Sequence, residues 1–302
     1  MSTGVTTLTI AERRTLVMAR LRDYLELTKP KIALMVLVTV AVGAFVAAWG
    51  PPEPWALLHA LIGMALVAAS GTALNQWLES ASDARMHRTS DRPLPAGRLT
   101  GAETFGFGVI ALIVGVIYLA YAVNVPAAVV AGISWFIYVV IYTPLKLLSP
   151  SNTVIGAVAG ALPILVGWVA VGGQLNLLAW TLFLLVYLWQ FPHFMAIAWI
   201  FRRDYAAAGM QMLTTVDPSG ARAARLAVCG ALVLLPVSLV PCSIAGAGWG
   251  YGTMVLLLGL AYLAAAIVFA IRRDDRSARW LMRVSLVYLP GVLLGVTLLP
   301  LV

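Results

Sequence analysis

Apolar runs of about twenty residues recur along the chain with short polar breaks between them, the length an α-helix needs to cross a bilayer. Nine runs are present, at roughly 32–50, 55–78, 103–123, 126–143, 153–172, 178–200, 223–245, 250–271 and 281–301. The breaks alternate in character. Those after odd-numbered runs are nearly uncharged and rich in turn formers, as at Gly50-Pro51-Pro52-Glu53-Pro54 and Asn124. Those after even-numbered runs are basic. All 20 lysines and arginines fall there or before the first run, and Glu53 alone of the 12 acidic residues falls elsewhere. By the positive-inside rule, the N-terminus is expected in the cytoplasm and the C-terminus outside. The expected fold is all-α: a polytopic membrane protein, a bundle of nine transmembrane helices. Residues 1–31 are read as a cytoplasmic tail and 32–302 as one membrane domain.

Composition agrees. Hydrophobic residues make up 62% of the chain and charged residues 11%, with mean hydropathy +0.94. A soluble domain would carry about a quarter charged residues. The net charge of +8 is accounted for by topology, so it calls for no nucleic acid; it also suits an anionic leaflet or substrate. The tail has no apolar segment with a cleavage site and no evident organelle presequence, which favours the plasma membrane of a prokaryote. Cys229 and Cys242 fall in one run, roughly 20 Å apart along a helix, too far for a disulfide.

Asn75, Glu79 and Asp83 recur every four residues where the second run ends, so they share one helical face. Arg88 and Arg92 follow. Oxygen donors beside arginines suit a hard divalent cation holding a phosphorylated substrate. The plainer reading is a pair of solvated charges matched by Arg85 or Arg88. His193, inside the sixth run, is either a functional group or a neutral imidazole bonded to a neighbour such as Gln190 or Tyr142. Pro192 predicts a kink beside it. Lys146 is either a topology marker or a diphosphate ligand. The Arg272–Arg276 run reads as a solvated loop without catalytic role.

These residues resemble the UbiA superfamily of intramembrane prenyltransferases, and within it the protohaem IX farnesyltransferase (haem O synthase) family. The matching stretches are NQWLESASD at 75–83 with MHRTSDRPLP at 86–95, YTPLK at 142–146, the 152–168 segment, and QFPHF at 190–194 leading to DYAAAGMQM at 204–212. They span roughly 70–215; before them, only Thr28-Lys29-Pro30 matches by residue. Glu79 stands where the superfamily generally has aspartate, Asp204 is the lone acid of the second motif, and Gln211 stands where many members have proline. The resemblance implies farnesyl transfer from farnesyl diphosphate to the 2-vinyl group of haem b, giving haem O. It implies Mg²⁺ held by Asn75, Glu79, Asp83 and Asp204. Arg88, Arg92, Lys146, Tyr142 and Tyr205 would bind the diphosphate region, and His193 the acceptor. It also implies a partner downstream in oxidase assembly, a haem A synthase. Two alternatives remain: a sister prenyltransferase with an aromatic acid, quinone-precursor or chlorin acceptor, and a small-molecule transporter lined by Asn75 and His193.

Overall fold

The computed structural model describes residues 10–244 and 249–301. Residues 1–9 of the expected tail, residue 245 of the seventh expected span, and Val302 lie outside the described residues. Among the described residues every regular element is a helix. In chain order these are α1 (Ile10–Leu27), α2 (Pro30–Ala47), α3 (Pro54–Asp83), α4 (Gly101–Ala122) and α5 (Val125–Phe136). A π-helical turn (Ile137–Tyr142) joins α5 to the short α6 (Thr143–Leu145). Then come α7 (Asn152–Ala170), α8 (Leu177–Ile200), α9 (Arg202–Ala207), α10 (Leu213–Val216), α11 (Ala221–Ile244), α12 (Trp249–Arg272) and α13 (Asp275–Leu298). Nine helices among these residues are long and apolar enough to cross a membrane, α5 to α6 counting as one, and each coincides with an expected run. The chain is a multi-pass membrane protein.

Helix starts follow local chemistry. Pro30, Pro54 and Pro126 stand in the first turns of α2, α3 and α5, where the missing N–H costs nothing. Glu53, Asn124 and Asn176 accept backbone N–H bonds as N-caps. Two helices depart from the hydropathy limits. The third helix continues to Asp83 because its last polar turns are neutralised by cations from other segments. The last helix starts at Asp275, earlier than its apolar run, because Asp274 and Ser277 form a capping box. The Arg272–Arg276 segment is thus partly structural, and Asp275 also pairs with Arg202 at 2.7 Å. Helix α8 is continuous through Pro192.

Helix α7 is the most buried of the nine and packs against α2, α5 and α8. On one side α2, α3, α4 and α5 pack in succession; on the other α8, α11, α12 and α13 do so, and α13 returns to touch α2. The α2–α7 contact is backbone on backbone. A Cβ on Gly43 would strike the Ile164 carbonyl, and one on Gly167 the Val40 carbonyl. In lipid, where tails are as apolar as leucine, such close approach is what holds helices together.

The expected tail contains a helix. The end of α1 docks through Leu27, which is fully buried with Ala73 and Leu99 against Tyr24, Leu94 and Phe107. Arg98 binds both Asp23 and Glu26 at 2.7 Å, and Gln76 donates to the Leu27 carbonyl at 2.9 Å. Val17, Met18, Leu21 and Leu25 remain exposed on α1.

Gly43→Ala or Gly167→Ala should push α2 and α7 apart and cost about 1–3 kcal/mol, seen as a lower thermal-unfolding midpoint in detergent. Gly106→Ala, whose Cβ meets open space, should leave that midpoint unchanged or raised.

Candidate active site

The last two turns of α3 carry Asn75, Glu79 and Asp83 on one face, at 1%, 7% and 0% exposure. Two carboxylates so placed stay ionised only if counter-charges reach them. Lys146 Nζ lies 2.7 Å from Glu79 Oε1, and Arg92 Nη1 lies 2.6 Å from Asp83 Oδ2. Lys29 Nζ donates to Asn75 Oδ1 at 3.0 Å, while Asn75 Nδ2 donates to Thr143 Oγ1 at 3.1 Å. Three cations from three separate segments therefore close on one helix face. The plainer sequence reading named the wrong partners: neither Arg85 nor Arg88 pairs with these acids.

Each cation has a local cause. After Asp83 the chain folds back through a run of turns, with the Thr89 hydroxyl donating to the Asp83 carbonyl at 2.9 Å, and this return delivers Arg92. Lys146 follows the π-helical turn. Pro144 has no N–H and its ring crowds the preceding turn, so the backbone widens there and the Thr143 N–H reaches the Tyr138 carbonyl. Lys146 Nζ then sits 4.5 Å from the centroid of the Tyr142 ring, which stacks on Tyr138. Lys29 lies in the break between α1 and α2 with φ +47°, a left-handed conformation that L-residues rarely adopt. The packing that docks α1 holds it there.

Burial works against the charge on Lys146, but the Glu79 carboxylate overcomes it and holds the ammonium above the ordinary lysine range. Lys29 moves the other way. Burial first, and then the Arg92 guanidinium, lower it to about 7.

The segment after α8 completes one wall. Gln211 N–H donates to the Lys146 carbonyl at 2.6 Å, and Asn152 Nδ2 donates to the Gln211 carbonyl at 3.0 Å. Tyr205 packs on Met86, Ala208, Met210 and Met212. Burial raises the Tyr205 hydroxyl, and Arg88, Lys146, Tyr142 and Glu79 lie close enough to act on it electrostatically. The Arg88 guanidinium rests 4.8 Å over the Phe201 ring. Asp204, half-buried on α9, makes no side-chain hydrogen bond or ion pair among the described residues. His193 stands apart. Its Nδ1 is 2.7 Å from Ser285 Oγ on α13 and its ring stacks on Trp189. Neither expected partner serves it: Gln190 donates to the Ala157 carbonyl, and the Tyr142 ring faces Lys146.

A divalent cation fits this face. Asp83 Oδ1 is buried with no hydrogen-bond partner, and Glu79 Oε1 meets only Lys146. All candidate donors are hard oxygens. Among the described residues no three His, Cys, Asp or Glu groups gather to enclose a metal. An ion here would therefore rely on one or two carboxylates, the Asn75 amide and oxygens of a substrate, the usual arrangement for magnesium. Lys29 and Thr143 are site residues that sequence reasoning missed; the Thr28-Lys29-Pro30 match just before the first span was the available signal.

A nine-helix membrane bundle with a buried oxygen-and-cation face at one end has close counterparts. The description UbiA prenyltransferase family matches residues 36–287. A digeranylgeranylglyceryl phosphate synthase structure superposes with TM-score 0.79 at 19% identity, covering 93% of this chain and 99% of that one. A UbiA homologue from Archaeoglobus fulgidus bound to GPP and Mg²⁺ superposes with TM-score 0.64 at 15% identity, covering 91% and 99%. The chain belongs to the UbiA prenyltransferase family. Within that family it groups with the protoheme IX farnesyltransferases: the Solibacter usitatus (strain Ellin6076) member is 40% identical over 282 residues, covering 89% of this chain and 96% of the relative.

Lys146→Met would strand the Glu79 carboxylate in the interior at a cost of about 3–5 kcal/mol. The double variant Lys146→Met with Glu79→Gln should recover much of that loss. Unfolding by SDS titration reads both, and additive losses would show that the pair is not coupled.

Proposed function

We propose that this prenyltransferase moves the farnesyl group of farnesyl diphosphate onto the 2-vinyl group of haem b, with Mg²⁺ as cofactor, giving haem O. The name of its Solibacter relative supports the haem acceptor. The GPP and Mg²⁺ bound to the Archaeoglobus homologue support the donor class and the metal. The observation that carries the reading is the buried face of Asn75, Glu79 and Asp83, with its cations and its unpartnered carboxylate oxygen.

In this reading Asn75, Glu79, Asp83 and Asp204 hold the metal with the diphosphate. Bound there, a divalent cation supplies Lewis-acid stabilisation to the departing diphosphate. The side-chain cations change partners: Arg92 and Lys146 turn from Asp83 and Glu79 to the diphosphate oxygens. Arg88 and the Tyr142 and Tyr205 hydroxyls add further hydrogen bonds. The carbon–oxygen bond breaks with its electron pair leaving on diphosphate, and the allylic carbon is attacked by the vinyl group. The vinyl-derived cation takes up water and releases a proton, so the product gains one farnesyl group and one hydroxyl. Apolar helix walls keep water from the allylic cation until then. His193, held by Ser285, faces the porphyrin. The basic loops place this end of the bundle on the cytoplasmic side of a prokaryotic plasma membrane.

Purified protein given Mg²⁺, farnesyl diphosphate and haem b should yield haem heavier by one farnesyl group and one water, read by mass spectrometry. Asp83→Ala or chelation of the metal should lower the rate by at least about a hundredfold. Prenylation of a phenolic acceptor without modification of haem would overturn the acceptor. No prenyl transfer by folded protein would return a transport function to consideration.

A further inference from the structure

A groove of about 540 Å³ opens where α1 crosses the start of α2, well outside the face of Asn75, Glu79 and Asp83. Its walls are mostly apolar, with Leu25, Pro30 and Ile32 among them, and four cations enter it: Arg22, Lys29, Lys31 and Arg92. Two of these are already spoken for. Arg92 and Lys29 reach through to Asp83 and Asn75, so the inner end of the groove and the active site share side chains. The outer two have no such role. Arg22 and Lys31 form no ion pair among the described residues.

The nearby acids cannot neutralise them. Asp23 and Glu26 are both engaged by Arg98 at 2.7 Å. The groove is therefore strongly positive inside an apolar frame. Leu25 and Ile32 on its rim are exposed, and Leu25 continues the exposed line of Val17 and Leu21 along α1. Apolar approach outside and uncompensated cations inside fit an amphiphile with an anionic head. A free polar anion would gain nothing from the apolar walls, and a neutral lipid nothing from the cations.

We infer that this groove is an entry dock for the isoprenoid diphosphate donor: Arg22 and Lys31 capture the diphosphate at the membrane surface and pass it to Lys29 and Arg92, and so to the α3 face. The assignment rests on the donor class proposed above and adds two residues and a route to it. Charges that line a path ahead of a site raise the association rate more than they deepen the site. Arg22 and Lys31 are thus positioning residues, acting before the chemistry.

The test is the association rate of farnesyl diphosphate with protein in nanodiscs of a zwitterionic lipid, followed by stopped-flow quenching of tryptophan fluorescence. Arg22→Gln with Lys31→Gln should lower that rate about five- to tenfold and raise KM for the donor. Turnover at saturating donor should stay within about twofold. Arg272→Gln with Arg276→Gln, which removes equal charge elsewhere on the basic end, should leave the association rate unchanged. An equal loss in both double variants would reduce the effect to net charge and overturn the dock. So would an unchanged rate in Arg22→Gln with Lys31→Gln. A protein that binds no prenyl diphosphate would overturn the donor reading and the dock together. Binding of the donor without transfer to haem would overturn the acceptor alone and leave the dock standing.

Discussion

An ionised carboxylate in an apolar interior is tolerated only when a cation reaches it, and this one requirement organises the basic end of the molecule. Glu79 and Asp83 are fixed on a rigid helix, so the partners must come to them. That demand explains why the chain after Asp83 turns back instead of running outward, and why α5 ends in a widened turn before Lys146. It also explains why the break before α2 is held in a conformation that lysine seldom takes. Three connections that hydropathy alone treats as loops are shaped by what they must deliver.

The bundle beneath serves a different end. Its contacts are those of small residues and interlocking apolar side chains, with α7 at the centre and α2 pressed against it backbone to backbone. Polar side chains within it mostly satisfy carbonyls: Gln190 that of Ala157, Ser134 that of Ala159, Asn124 that of Val169. Such bonds have no water to compete with, and they fix the rotation of each helix about its axis. The polar face at the end of α3 depends on that fixed rotation.

The nine spans were legible because membrane crossing imposes a length and an apolar composition that no loop imitates, and the shared face of Asn75, Glu79 and Asp83 because four-residue spacing on a helix allows no other arrangement. Which cations pair with them was not legible. Arg85 and Arg88 are nearer to Asp83 in sequence, yet the fold-back carries them past it and returns Arg92. Lys29 looked like one topogenic charge among many. Helix α1 was hidden because Val17, Leu21 and Leu25 are interleaved with charges, which flattens the hydropathy trace. His193 finds its partner 92 residues further on, a distance over which local pattern says nothing.

The widened turn in α5 has a consequence for how this chain can diverge. A π-helical turn amounts to one residue more than a regular helix holds over the same rise. Deleting any one residue from Ile137 to Tyr142 would leave a smoother helix, yet would swing everything after it by about 100°, carrying Lys146 off Glu79. Substitutions are tolerable in this stretch; a change of length is not. Descendants of this chain are thus free to alter the spelling of those six positions but not their number.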